Sequence, residues 1–100
     1  MGARDVMDDR ALLEAAARAA GPEYVNLLSH GKWNPLTDDG DAFRLAVKLR
    51  MRLQVDDYGA AARIGDNGRW HGFEAHLHGG IEAATRRAVV RAAAAMGSEK

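Results

Sequence analysis

The residues of this chain with chemistry to offer are its histidines, a run of aspartates, one Ser-His neighbour pair and a surplus of arginine over lysine. His76 and His78 stand two apart in the alternating stretch Trp70–His78, so a strand there turns both rings to one face, and parity puts His71 on the other. Zinc takes three or four ligands, and cysteine is absent. His76 and His78 therefore fall short of a metal site, and no cofactor is expected. Asp38-Asp39-Gly40-Asp41 lacks the spacing of a calcium loop and directly precedes a helical pattern, where carboxylates cap free N–H groups. Ser29 and His30 are chain neighbours in a turn, a poor geometry for a nucleophile and its base. Neither a P-loop nor a G-x-G-x-x-G loop occurs. No catalytic constellation emerges, and the chain does not read as an enzyme.

Binding chemistry is better represented. Aromatic and arginine side chains dominate interaction hot spots, so Arg69, Trp70 and His71, beside a turn at Gly65–Gly68, are the expected partner-binding residues. The alternative is the basic side of the last helix, Arg86, Arg87 and Arg91. From Asp41 onward the order helix–strand–strand–strand–helix resembles a double-stranded-RNA-binding domain, as do Gly68–Phe73 and the Gly79-Gly80 junction into an alanine-rich helix. That resemblance implies phosphate contacts from the start of the final helix. Val90 stands where a third basic residue belongs, with Arg91 one step beyond. Fourteen basic residues balance fourteen acidic ones, so no net charge drives binding to a polyanion.

These residues must be positioned by a small framework. One hundred residues make a single domain spanning 1–100, with an ordered core at about 8–97, and no apolar run approaches the ~20 residues of a membrane span. No signal peptide opens the chain, so a cytoplasmic protein is expected. Alanine is the commonest residue and offers little area to bury, which lets helices lie close together. Asp8 and Asp9 open a helix that Gly21-Pro22 ends. Tyr24–Ser29 reads as a strand, and Trp33 as the start of a short return. Thr37–Asp41 caps a second helix to Leu49, whose stripe of Ala42, Leu45, Ala46 and Leu49 is widened by Phe43 and Val47.

Leu53–Asp56 and Ala60–Ile64 read as strands, Asp66-Asn67-Gly68 as a hairpin turn, and Trp70–His78 as a third strand with Phe73, Ala75 and Leu77 inward. The final helix runs Ile81–Met96 and stops at Gly97, with Ile81, Ala84, Ala88, Ala92 and Ala95 on its buried face. The class is α+β: a small, mostly antiparallel sheet sandwiched by about three helices, in the order α-β-(β)-α-β-β-β-α. An unshielded sheet edge also permits a homodimer.

Gly31–Leu49, with Trp33-Asn34-Pro35 and Asp41 at its heart, resembles the hallmark block of the phage ABA sandwich domain family. Ala83–Ala94 is similar to that family's closing helix. The resemblance implies a helix–sheet–helix domain encoded by a tailed phage or prophage, and it carries no activity or site residue with it. Trp33, Asn34, Pro35 and Asp41 are then an aromatic plug, a rigid turn and a cap. A small accessory protein that binds and modifies or inhibits host machinery is the expected function, with a host or phage protein as partner.

Overall fold

The computed structural model describes residues 8–65 and 68–98. Four helices, α1 (Asp9–Ala20), α2 (Pro22–Ser29), α3 (Asp39–Lys48) and α4 (Ile81–Ser98), accompany three strands, β1 (Met51–Val55), β2 (Gly59–Ile64) and β3 (His71–Glu74). The sheet is antiparallel throughout, in the order β1-β2-β3. The α+β class and the antiparallel sheet are those the sequence pattern predicts.

Local rules explain most boundaries. Asp8 accepts a bond from Ala11 N at 2.8 Å to cap α1, and Asp38 accepts from Asp41 N at 2.8 Å to cap α3. Gly21, at φ 131, breaks α1 from α2. The expected strand over Tyr24–Ser29 is instead α2. Pro22 occupies its first turn, where a missing N–H does no harm, and Tyr24, Leu27 and Leu28 follow the helical i, i+3, i+4 spacing. Trp33 begins no strand; it lies in an irregular loop with its ring 4% exposed.

That loop is tied down by the residues around it. Asn34 N donates to Asp41 Oδ2 at 2.9 Å, Leu36 N donates to Asn34 Oδ1, and Pro35 is fully buried. Asp41 thus clamps the loop to α3, while Asp38 is the cap.

Helix α4 is the central element. One side of it, with Val89, Val90, Ala93 and Ala94, joins a core with Leu12, Leu13, Ala15–Ala17, Leu45 and Trp33. Its other side places Ala88 and Ala92 on Ala62 of β2, flanked by half-buried Met51, Ile64 and Phe73. The buried face is therefore wider than the predicted stripe. Gly97 does not stop α4 but lies inside it, because a Cβ there would collide with the Ala15 carbonyl of α1. Glycine permits that close approach of the two helices.

Three further expectations are corrected. Phe43 and Val47 do not widen the buried stripe of α3; they are 68% and 58% exposed, since α4 and β1 cover only the Ala42–Leu45–Ala46 side. The third strand ends at Glu74, where Ala75–Leu77 form a 3-10 turn that resets side-chain parity and leaves Leu77 exposed. The helices also lie to one side of the sheet rather than around it, so Gln54, Gly72 and Glu74 on the far face stay exposed. The expected Asp66-Asn67 turn lies outside the described residues. Among the described residues no helix is long and apolar enough to cross a membrane.

Candidate binding surfaces on the two faces of the sheet

Strand alternation separates the predicted trio. Trp70 lies toward the uncovered face of the sheet, while Arg69 and His71 lie toward α4. The register arranges the uncovered face in rows. Arg52 pairs with Arg63, Gln54 with Ala61 and Ala61 with Gly72, and Gly59 with Glu74. Trp70 continues the first row: the Arg63 guanidinium sits 4.9 Å from its ring centroid, a cation–π contact. Arg63 Nε is buried without a hydrogen-bond partner among the described residues.

Asp56 flanks the opposite row. Its Oδ1 accepts from Tyr58 N at 2.8 Å and Gly59 N at 3.1 Å, which fixes the β1–β2 turn. A trough of about 420 Å³ runs over Ala61 and Gly72 between Trp70, Tyr58 and Glu74. This face is thus graded in charge, with Arg52 and Arg63 at one end and Asp56 and Glu74 at the other. Tyr58, 80% exposed, and Trp70, 41% exposed, are its aromatic posts. Sequence reasoning found Trp70 but missed Tyr58, Arg63 and Glu74. The alternation of β2 carried that signal for Arg63, once its partner row was known.

On the α4 side, Arg69, His71 and Arg91 border a hollow of about 540 Å³ whose walls include Ile64, Ala95 and Met96. Gly68 positions its rim, since a Cβ there would strike the Ile64 carbonyl. The His71 pKa is held below its ordinary 6.5, first by burial of the ring and then by the positive charges of Arg91 and Arg69.

The three arginines of the alternative reading do not share a face. Arg86 donates to the Leu36 carbonyl at 2.8 Å and pairs with Asp39 at 2.6 Å. Arg87 pairs with Asp9 at 3.0 Å. Only Arg91 turns into the hollow. The start of α4 spends its two guanidiniums on bracing α3 and α1, which leaves little charge for phosphates.

His76 and His78 also part company. His76 Nε2 lies 3.6 Å from Glu74 Oε1, while His78 packs edge-on against Phe73 with centroids 5.0 Å apart. No group of three potential metal ligands occurs among the described residues. Ser29 Oγ and His30 Nδ1 come within 3.4 Å, yet both address the Asn26 carbonyl, at 2.8 and 2.9 Å. The short Nδ1 contact to a carbonyl assigns the ring proton to Nδ1, so that nitrogen is no base for Ser29.

Comparison with models of known families, with curated proteins and with solved structures returns no match.

Proposed function

We propose that this chain is a cytoplasmic accessory protein of a phage or prophage, akin to the phage ABA sandwich domain family, that modifies or inhibits host machinery. It acts without catalysis, by holding a host protein against the uncovered face of its sheet. The carrying observation is the charge-graded trough between the Arg63–Trp70 pair and the Asp56–Glu74 end. A complementary partner presents an extended segment across the strands, with a basic side chain toward Asp56 and Glu74 and an acidic one toward Arg52 and Arg63. Small residues at Ala61 and Gly72 leave room for a large apolar anchor beside Trp70. The family resemblance of the Trp33–Asp41 block supports the phage context.

The test is capture from a bacterial lysate with tagged wild type, Trp70→Ser, Glu74→Lys and Arg87→Glu, with and without nuclease, on variants of matched Tm. The reading expects one stoichiometric protein that survives nuclease, is lost with Trp70→Ser and Glu74→Lys, and is kept with Arg87→Glu. Material lost on nuclease treatment and on Arg87→Glu, but indifferent to Trp70 and Glu74, would replace it with the nucleic-acid reading.

A further inference from the structure

We propose that the hollow bordered by Arg69, His71 and Arg91 binds a phosphate monoester dianion, with the organic part of the ligand against Ile64, Ala95 and Met96. It lies on the opposite side of the sheet from the trough and stands independently of the protein-binding reading.

Three observations converge on it. Two guanidiniums from different elements, the approach to β3 and the third turn of α4, border one concavity of about 540 Å³ that the His71 imidazole also lines. No carboxylate among the described residues lines that concavity or pairs with either arginine, although Arg10, Arg44, Arg86 and Arg87 each have an acidic partner. The positive charges of Arg91 and Arg69 both act on the His71 ring, so the three groups lie within electrostatic reach of one another.

Arginine's planar fork matches phosphate oxygens, and a dianion with three free oxygens can engage two such forks and a ring N–H together. A diester offers only one charge and two free oxygens. The apolar wall of Ile64, Ala95 and Met96 suits a ligand with a nonpolar body. His71 adds a proton-linked contact. Its pKa is lowered by burial and by its cationic neighbours, and a bound dianion that offsets those charges raises it, favouring the protonated ring as a donor. The facing groups are Arg69 on the irregular segment leading into β3 and Arg91 on α4; the β2 contribution, Ile64, carries no charge.

The experiment follows the His71 ring resonances by NMR during titration with phenyl phosphate, inorganic phosphate, diethyl phosphate and sodium chloride at matched ionic strength. Phenyl phosphate is expected to bind saturably and to raise the His71 pKa. Inorganic phosphate is expected to bind more weakly, and diethyl phosphate at least about tenfold more weakly than phenyl phosphate. Arg91→Gln and, separately, the exposed Arg69→Gln should each weaken phenyl phosphate binding about tenfold, while Arg87→Gln leaves it unchanged. Having two arginine variants keeps the test intact if one of them fails to fold. A phosphoserine peptide in place of phenyl phosphate distinguishes a modified protein segment from a free small ligand, and tight binding of either supports the site. Shifts that chloride reproduces, a diester that binds as well as the monoester, or affinity indifferent to both Arg69 and Arg91 would overturn it.

Discussion

The two sides of α4 are built differently. Toward α1, α3 and the Trp33 loop, it meets leucines, a tryptophan and its own valines, all buried. Toward the sheet it offers Ala88 and Ala92 to Ala62, and the larger strand residues are only partly covered. Leu53 and Val55 share a face with Ala62 and Ala60, yet remain 43% and 51% exposed. Burial scales with apolar area, so most of the stabilising contact lies on the helical side. The sheet is a thin layer laid on a helical base, and its surface carries exposed aromatic and basic side chains. Stability is concentrated on one side of the helix, and the proposed recognition surfaces lie on the other.

That division can be broken most severely at Trp33. Trp33→Ala should cost about 3–5 kcal/mol in urea unfolding. Among the described residues the ring's Nε1 is buried without a hydrogen-bond partner, which offsets part of its burial and favours the lower end. A loss below about 1 kcal/mol would mean the helical side does not hold the fold.

Gly97→Ala comes next. Alanine improves helix propensity by about 1 kcal/mol, but overlap with the Ala15 carbonyl should outweigh it and leave a net loss of about 1–3 kcal/mol in Tm-derived stability. Net stabilisation would show that α1 and α4 are not closely apposed.

Arg86→Ala strands the Leu36 carbonyl and should cost about 1–2 kcal/mol. Arg10→Ala, which removes only an exposed i,i+4 pair, should cost less than about 0.5 kcal/mol. Equal effects would remove the bracing role given to the start of α4. On the sheet side, Leu53→Ala should cost less than about 1 kcal/mol, because much of the side chain is already in water.

The smallest effect is in pH dependence. Because the folded pKa of His71 lies below 6.5, the unfolded chain takes up this proton first as pH falls. Stability should therefore decline from about pH 6.5 down to the folded pKa, with no contribution from this group above that window. His71→Asn should flatten that part of the curve, and an unchanged slope would contradict the burial of the ring beside Arg91 and Arg69.

Much of the helical side was legible in the sequence, because caps and periodicity are local. Asp8, Asp38 and Gly21 act where their types predict. Tyr24–Ser29 reads as a strand because Tyr24, Val25, Leu27 and Leu28 satisfy both periods over so short a run, and proline at the first helical turn decides between them. Gly97 read as a terminator because nothing local announces that a second helix backbone passes beside it.

The sheet surfaces were only partly visible. Alternation places Trp70 opposite Arg69 and His71, but strand register had to be known before Arg63 could meet Trp70, or Arg91 could join His71. The arginines of α4 looked like one basic face because their partners, Asp9 and Asp39, lie far away in the chain.

Native-state amide hydrogen exchange along the chain tests the division most directly. Buried amides of α1 and of the Val89–Ala94 turns of α4 should exchange only through global unfolding. Those of β1 and β3 should open at a free energy at least about 1–2 kcal/mol lower, as a separable layer. Strand amides protected as strongly as those of α1 and α4 would contradict the account, since the sheet would then be as much a part of the stabilising core as the helices beneath it.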